Sequence, residues 1–280
     1  MKTSKLLSAF VLFILSLSFV FIVNHIPLTN AIPVSNANES VLNALFKDTE
    51  GAFVLYDLKN NKYIRYNESR CRQRFSPHST FKIPNALIAL ETGVVKDENV
   101  ITPYASDKHP SEAWWPAEWQ QDTNLRSGIK YSVVWYYQDI AKQVGKEKYN
   151  KYLQQFQYGN EDISGPIDQF WLGSSLEISP NEEVEFLKKF YNEELSVSKR
   201  TTDIVKDILV LEKTNSYKFS GKTGLSGVVN GKALGWFVGY LEREDNVYFF
   251  ATNLEATSTE ALMKKRIQLT KQILTELGLL

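Results

Sequence analysis

Residues 79–93 read Ser-Thr-Phe-Lys-Ile-Pro-Asn-Ala-Leu-Ile-Ala-Leu-Glu-Thr-Gly. A serine and a lysine three positions apart stand on one face of a helix, about one turn from each other. The apolar residues that follow predict a buried helix, and Gly93 is typical of its end. Pro84 fits such a helix only near the first turn, because a proline further inside would break it. The stretch therefore predicts a buried helix that begins with a hydroxyl beside an amine.

The spacing S-x-x-K is by itself a weak pattern, since residues 127–130 and 196–199 also have it. Residues 196–199 lie among Glu, Asn and Arg, as in a solvated turn, whereas the stretch after Ser79 is apolar. A lysine acts as a base only after it has lost its proton, which burial promotes. Ser79 and Lys82 are therefore the candidate nucleophile and base. The alternative interpretation is a capped helix start with an exposed lysine.

A second element, Lys222-Thr223-Gly224, lies on a strand-like run. A triplet of these three residue types is expected by chance roughly 0.07 times in a chain of this length. A strand edge with this sequence can pair with a peptide-like substrate and place a cation and a hydroxyl beside its carboxylate. The alternative is an ordinary edge strand with a protective lysine.

A third element, Ser132-Val133-Val134, follows Lys130-Tyr131 and opens a helix-like stretch over residues 134–144. The glycine after this stretch marks its end. S-x-V is not specific, and its position is the informative feature. Ser132 lies 53 residues after Ser79 and 90 residues before Lys222.

The rest of the chain predicts an α+β fold, an antiparallel sheet flanked by helices with a mostly helical subdomain. Apolar and polar residues alternate over residues 52–57 and 63–67. With Lys59-Asn60-Asn61 between them, these two runs predict a hairpin. In the helical middle of the chain, Val184, Leu187 and Tyr191 share an apolar helix face. Three strand-like runs follow, at residues 217–229, 233–241 and 247–253. Thr257 with Glu260 predicts a capping box for a last helix that reaches Leu277.

The N-terminus resembles a targeting segment, because Lys2 and Lys5 precede an apolar run over residues 6–23. We predict a signal peptide over residues 1–37, with a retained membrane anchor as the alternative because the run is long. The globular part is then secreted or periplasmic, and it touches a membrane only through an uncleaved segment. The catalytic domain is predicted over residues 38–280, with its sheet part at roughly 45–75 and 215–280 and its helical part at roughly 76–214.

Composition excludes several other kinds of function. Lys plus Arg and Asp plus Glu both number 32, so nothing favours a nucleic acid as partner. After residue 37 the only histidines are His78 and His109, too few for a His-based zinc site. His78 adjoins Ser79 and cannot face it on a helix, which argues against a Ser-His-Asp triad. Cys71 is the only cysteine, and nothing nearby would lower the pKa of its thiol. A lysine or a carboxylate is therefore the expected base, and no metal is expected.

In order and spacing, S-x-x-K, S-x-V and K-T-G resemble the class D (oxacillinase-type) serine β-lactamases of the penicillin-recognising enzymes. The resemblance extends over most of residues 45–280. It includes the Ser79–Leu87 helix and three further segments: Tyr158-Gly159-Asn160, Phe170-Trp171-Leu172 and Gly235–Tyr240.

The resemblance implies hydrolysis of penicillin-type antibiotics, and hence β-lactam resistance, through an acyl-enzyme on Ser79. It implies that Lys82, carboxylated by CO₂ or bicarbonate, is the base in acylation and deacylation, and that no separate cofactor is needed. The Trp171 indole N–H would hold this carbamate. Ser132 would relay a proton to the leaving nitrogen.

The resemblance also implies a substrate site around the K-T-G strand. Lys222 and Thr223, beside Gly224, would bind the substrate carboxylate together with Arg266. The backbone N–H groups of Ser79 and Leu225 would form the oxyanion hole. Two apolar residues, Val134 and Leu172, would lie over the carbamate and control the entry of water.

Three other functions share some of these features. One is a cell-wall transpeptidase or carboxypeptidase, which deacylates drugs slowly. The second is a β-lactam sensor that stays acylated, although such sensors usually follow several membrane spans and this chain has one apolar segment. The third is a non-catalytic wall-binding domain, which has no need of both S-x-x-K and K-T-G. Separately, Trp114, Trp115 and Trp119 form a cluster that either packs a long loop, as we favour, or lines the mouth of the cleft.

Overall fold

The computed structural model describes residues 36–280, so residues 1–35 of the predicted signal peptide lie outside the described part. Within residues 36–280, no helix is both long and apolar enough to cross a membrane. The strands are β1 (Glu50–Asp57), β2 (Lys62–Tyr66), β3 (Val210–Lys213), β4 (Tyr217–Leu225), β5 (Ala233–Arg243) and β6 (Asn246–Ala256). The helices are α1 (Asn36–Leu45), α2 (Glu68–Arg72), α3 (Lys82–Glu91), α4 (Leu125–Lys130), α5 (Val134–Val144), α6 (Lys146–Phe156), α7 (Pro180–Tyr191), α8 (Lys199–Ile208) and α9 (Thr259–Glu276).

The strands form one antiparallel sheet in the order β2-β1-β6-β5-β4-β3, which confirms the α+β class. The predicted β1–β2 hairpin is present, and Asn61 in its turn adopts a φ of 51°. The strand-like run predicted up to residue 229 ends at Leu225. The chain reverses at Asn230 and Gly231, which both have positive φ, as tight hairpin turns require. The short strand β3 was not predicted.

Both faces of the sheet are buried, and the side chains of successive residues in a strand point to opposite faces. On β5, Phe237 packs with Phe53, Phe250 and other apolar residues against α1 and α9. The adjacent Trp236 packs in the larger core between the sheet and the remaining helices. Strands buried on both faces need continuous apolar sequence rather than alternation, as in residues 233–241.

The helices largely follow their sequence signals, with one correction. α3 is buried and is followed by Gly93 at a φ of 73°, and α5 spans residues 134–144 as predicted. The last helix is capped by Ser258 rather than Thr257. Ser258 Oγ accepts a hydrogen bond from Ala261 N at 3.2 Å, so the helix begins at Thr259, one residue later than the predicted cap implies.

Candidate active site

Ser79 and Lys82 meet at the start of α3. Residues His78–Phe81 form a 3₁₀ turn that runs directly into α3. In 3₁₀ geometry, residues three apart lie above one another. Lys82 Nζ donates a hydrogen bond to Ser79 Oγ at 2.9 Å. Pro84 is the third residue of α3. It therefore lies in the first turn, where backbone N–H groups have no partner within the helix and a proline removes no hydrogen bond of the helix.

Lys82 has no solvent-exposed surface, which rules out the alternative of an exposed lysine at a helix start. No carboxylate is paired with it in the described part of the chain. Burial without a counter-charge disfavours the ammonium form and lowers the pKa of Lys82 to about 7. The amine can therefore be neutral near physiological pH, where an ordinary lysine is protonated.

Ser132 stands in the short connection between α4 and α5, and its hydroxyl points to the K-T-G lysine. Lys222 Nζ donates to Ser132 Oγ at 3.0 Å and to the Thr223 carbonyl at 3.0 Å. Ser132 adopts a φ of 59°, a left-handed conformation that is strained for a residue other than Gly, Asn or Asp. Strain of this kind costs on the order of 1–3 kcal/mol and persists only where the surrounding structure imposes it. Here it aims the hydroxyl at Lys222.

Lys222, Lys82 and Arg266 concentrate positive charge in this cleft. The pKa of Lys222 lies well below its usual value, first because the amine is buried and then because Lys82 and Arg266 are near. No acidic side chain forms a salt bridge with Lys222 or Arg266 in the described residues. Three buried basic groups without a carboxylate partner in the described chain suit an anionic ligand, which would favour their charged forms.

The K-T-G segment has one side free of strand pairing. β3 pairs with β4 only at residues 218–220, so β5 is the single strand paired with residues 222–225 in the described sheet. One face of this segment packs against the Ser79 turn. A Cβ atom added to Gly224 would lie 2.9 Å from the Pro77 carbonyl oxygen, closer than such atoms approach. Glycine is thus needed for the strand to lie against the nucleophile turn. Lys222 is buried, unlike a protective edge lysine.

Arg266 reaches the same strand from α9. Its Nη1 donates to the Gly224 carbonyl at 3.0 Å, and burial lowers the pKa of the guanidinium to about 10. The neighbouring Lys264 is exposed and Lys265 is half-buried. The structure therefore brings Arg266, and neither of these lysines, into contact with the K-T-G segment. Arg266 Nε has no partner among the residues described.

Trp171 lies fully buried against the nucleophile turn. Its ring stacks on Phe81 at a centroid distance of 5.4 Å, and its carbonyl accepts a hydrogen bond from His78 N at 3.0 Å. The indole Nε1 is buried without a hydrogen-bond partner in residues 36–280. A buried N–H without an acceptor costs about 1–3 kcal/mol. The donor is thus available for a further acceptor.

The remaining predicted residues lie at the borders of this region. Val134 begins α5, and Leu172 follows Trp171; both are half-buried and pack on the larger core. Thr223 and Leu225 are half-buried on β4, where Leu225 is the last residue of the strand and pairs with Gly235.

The clustered tryptophans Trp114, Trp115 and Trp119 differ in burial and in their contacts. Trp119 is buried, and its Nε1 donates to the Tyr131 carbonyl, one residue before Ser132, at 2.9 Å. Trp114 is 63% exposed and stacks edge-on to Trp115 and Trp119. Packing thus accounts for Trp119, which anchors the loop that carries Ser132.

One buried cluster was not predicted. Glu183 of α7 lies behind the nucleophile turn, where Thr80 Oγ1 is 2.6 Å and Tyr158 OH is 3.1 Å from its Oε1. Burial raises the pKa of Glu183 to about 7. Tyr158 belongs to the Y-G-N element, which the sequence offered only as part of a resemblance. The sequence did hold one signal for this cluster. Glu183 occupies a position on the apolar face of the α7 helix, beside Val184, where a glutamate is unusual.

The sequence predictions also concern Cys71 and the side chains that could bind a metal. Cys71 is buried, and burial raises the pKa of its thiol to about 12, so it is unreactive. Among residues 36–280, no group of three or more His, Cys, Asp or Glu side chains has the arrangement of a metal site.

Comparison with known proteins agrees with this geometry. The family model of the penicillin-binding protein transpeptidase domain matches residues 51–275. A solved class D β-lactamase, YbXI from Nostoc, superimposes with a TM-score of 0.80 at 41% identity, covering 85% of this chain and 99% of that chain. This chain belongs to the class D β-lactamases. As a class D β-lactamase it is a hydrolase of the β-lactam amide, an activity associated with antibiotic resistance.

Two curated relatives extend the comparison of this class D β-lactamase. The β-lactamase OXA-48 of Klebsiella pneumoniae is 39% identical over 265 residues, which cover 94% of this chain and 97% of OXA-48. The regulatory protein BlaR1 of Bacillus licheniformis is 38% identical over 236 residues. That match covers 83% of this chain but only 38% of BlaR1. The resemblance stated from the sequence is therefore confirmed at the level of the family.

Proposed function

We propose that this class D β-lactamase opens the β-lactam ring through an acyl-enzyme on Ser79, with the general base carried by Lys82. One observation carries this proposal above the others. The amine of Lys82, which is fully buried, lies 2.9 Å from Ser79 Oγ. A nucleophile within hydrogen-bond distance of a basic group is the arrangement that covalent catalysis requires.

The burial of Lys82 and the donors in this site support a carboxylated lysine. Carbon dioxide bound as a carbamate on Lys82 would supply an anionic base for both acylation and deacylation. An anion in an apolar pocket needs hydrogen-bond donors. Trp171 Nε1, buried without a partner among the described residues, is such a donor, and the hydroxyls of Ser79 and Ser132 are two more. The pKa of Lys82, about 7, leaves the neutral amine that addition of CO₂ requires.

Acylation then distributes protons among residues of this chain. Ser79 Oγ bonds to the lactam carbonyl carbon, and its proton passes toward Lys82. The negative charge on the carbonyl oxygen is met by the backbone N–H groups of Ser79 and Leu225. As the ring C–N bond breaks, the nitrogen takes a proton from Ser132, and Ser132 regains one from Lys82, so the proton lost by Ser79 ends on the nitrogen. The Ser132 oxygen is 3.0 Å from Lys222 Nζ.

Substrate binding is proposed to use the positive charge of the cleft. The carboxylate of a penicillin would be held by Lys222, Thr223 and Arg266, beside Gly224. Because Lys222 and Arg266 are buried without a salt-bridge partner in the described chain, an anion stabilises both. Val134 and Leu172, both half-buried, would limit the access of water to Lys82.

The similarity to the regulatory protein BlaR1 favours a second candidate, a β-lactam sensor that remains acylated. A chromogenic cephalosporin with the purified protein separates the two functions. A β-lactamase gives sustained turnover, many product molecules per protein molecule. A sensor, or a slowly deacylating penicillin-binding protein, gives one burst of about one equivalent.

Ser79→Ala is the control for chemistry at this site, because it removes the nucleophile and keeps the surrounding cleft. Sustained turnover that disappears in this variant supports the proposal. A single burst in the wild-type protein contradicts it, as does turnover that survives in Ser79→Ala.

We also propose that the enzyme acts outside the cytoplasm. The proposal rests on Lys2 and Lys5 before the apolar run at residues 6–23, and on the small residues that end at Ala37. N-terminal sequencing of the exported protein tests it: a chain that begins at Asn38 supports cleavage after Ala37, whereas a retained Met1 indicates an anchor.

A further inference from the structure

Glu183 is a buried acid that the mechanism above does not use. It lies on α7, where it contacts Thr80 of the nucleophile turn, and it is 1% exposed. Its Oε1 contacts Thr80 and Tyr158, while its Oε2 has no hydrogen-bond partner in the part of the chain that the structure describes. An ionised carboxylate in such a place would leave one charged oxygen without a donor, which is costly.

Three short contacts run in a line through this cluster. Tyr158 OH is 3.1 Å from Glu183 Oε1, Glu183 Oε1 is 2.6 Å from Thr80 Oγ1, and Thr80 Oγ1 is 2.9 Å from the Pro77 carbonyl oxygen. Each contact needs a proton between its two oxygens, so the line needs three protons. The hydroxyls of Tyr158 and Thr80 supply one each. The third can come only from the carboxyl group of Glu183.

The end of this line bears directly on the active site. Thr80 adjoins Ser79 in the 3₁₀ turn, and Pro77 precedes that turn. The same two residues lie against the K-T-G strand, since a Cβ on Gly224 would be 2.9 Å from Pro77 O and 3.3 Å from Thr80 Cγ2. The hydroxyl of Thr80 therefore fixes the nucleophile turn between α7 and β4.

We propose that Glu183 is held as a neutral acid that donates a hydrogen bond to Thr80 and so positions the turn that carries Ser79. Glu183 is a positioning residue, because it acts through Thr80 and touches no reacting atom. The inference deepens the proposed function and rests on Ser79 being the nucleophile.

The surroundings of Glu183 favour the neutral form. The titratable groups that face it are Tyr158, from the loop after α6, and Glu182 on its own helix, which pairs outward with Arg74. No cation forms a salt bridge with Glu183 among residues 39–280. Burial accordingly raises its pKa to about 7. Above that pH the carboxylate accepts the proton of the Thr80 hydroxyl instead, so the contact of Thr80 with the Pro77 carbonyl is left without a proton.

The consequence is an alkaline decline in acylation. The second-order rate of acylation by a penicillin should fall roughly two- to tenfold between about pH 7 and 9, the effect of one lost hydrogen bond. Glu183→Gln should lack this decline, because an amide donates to Thr80 at every pH. Lys82 titrates in the opposite sense, since its neutral form is gained as the pH rises.

Glu182→Gln is the matched control. It removes a carboxylate one residue away and keeps a side chain that can cap α7. It should retain the decline, displaced to slightly lower pH because the charge of Glu182 raises the pKa of Glu183. Thr80→Val, which keeps the methyl group and removes the hydroxyl, should slow acylation and lose the decline. Equal pH profiles in wild type and Glu183→Gln would overturn the inference, provided that the wild type reacts with the penicillin. A wild-type protein with neither turnover nor a penicilloyl adduct would reject the proposed function instead.

An infrared titration observes the proton itself and does not depend on activity. The pKa of Glu183 is raised to about 7, so this carboxyl group is protonated at pH 6. The wild-type protein and Glu182→Gln should show the band of a protonated carboxyl at pH 6. The band should vanish as the pH rises through about 7 to 9, and it should be missing from Glu183→Gln. A folded wild-type protein without the band at pH 6 would overturn the inference, whether or not Glu183→Gln folds.

Discussion

The indole N–H of Trp171 offers a sharp test of the proposed base. Trp171→Phe keeps an aromatic ring against Phe81 and Phe170 but removes the buried donor. In protein without bound CO₂, this donor has no partner among the described residues. Relief of its desolvation, about 1–3 kcal/mol, offsets part of the cost of the smaller ring. We therefore expect only a small change in the free energy of unfolding.

With a carbamate on Lys82, the same substitution removes a hydrogen bond to a charged group. Such a bond contributes about 1.5–3 kcal/mol. Because 1.36 kcal/mol corresponds to a factor of ten, the bicarbonate concentration that gives half-maximal turnover should rise roughly ten- to a hundredfold. Deacylation should slow more than acylation, so acyl-enzyme should accumulate.

The assay is a bicarbonate titration of turnover in degassed buffer, with the amount of acyl-enzyme followed by mass spectrometry. Trp135→Phe is the matched control. Its indole is equally buried, but its Nε1 already donates to the Trp119 carbonyl at 2.7 Å. That variant should lose stability and keep the wild-type bicarbonate dependence. An unchanged bicarbonate dependence in Trp171→Phe would refute the reasoning.

Three further predictions follow from single residues. Mass spectrometry should show no penicilloyl adduct on Ser79→Ala, whereas Ser196→Ala, in another S-x-x-K sequence, should retain it; an adduct on the first variant contradicts the assignment. Denaturant unfolding should show a loss of about 1–3 kcal/mol in Gly224→Ala and under about 0.5 kcal/mol in Gly227→Ala, whose added Cβ meets open space; similar losses would contradict the packing argument. Burial, then the charge of Lys82, lowers the pKa of His78 from 6.5 to about 4. Between these two pH values only the unfolded chain binds the proton, so the free energy of unfolding decreases as the pH is lowered. His78→Asn, which tolerates the φ of 49°, should reduce that acid-induced loss by up to about 3 kcal/mol, and equal losses in both proteins would contradict the burial argument.

The elements that the sequence predicted correctly are those whose signals are local. The helix after Lys82 has a continuous apolar stretch and Gly93 beyond its end, and α5 is bounded by Gly145. The β1–β2 hairpin has alternating strands around a turn rich in Asn. In each case the pattern and the terminating residue lie within about 15 positions, so no knowledge of distant contacts is needed.

The two elements that the sequence did not predict correctly lack a distinctive local signal. β3 has only four residues and is defined by its pairing with β4. The cap of α9 was misplaced because Thr257 and Ser258 are both good capping residues, and only the backbone geometry distinguishes them.

The candidate site shows the same division between local and distant signals. Ser79 and Lys82 meet because they are three residues apart, which the sequence shows directly. The contact of Ser132 with Lys222 joins residues 90 positions apart, and only the resemblance to class D enzymes placed both residues in one site. The contact of Thr80 with Glu183 spans 103 positions and was not expected at all. The left-handed φ of Ser132 likewise has no local signal, because tertiary contacts impose it.

The most direct test of the central claim is the state of Lys82 in protein supplied with carbon-13-labelled bicarbonate. The account predicts a new carbamate signal in the nuclear magnetic resonance spectrum of the wild-type protein. The signal and turnover should fall together in mildly acidic, CO₂-depleted buffer, and both should return when bicarbonate is added. Lys82→Ala should show neither signal nor turnover at any bicarbonate concentration. Full turnover in carefully degassed acidic buffer, with no carbamate signal, would contradict the account.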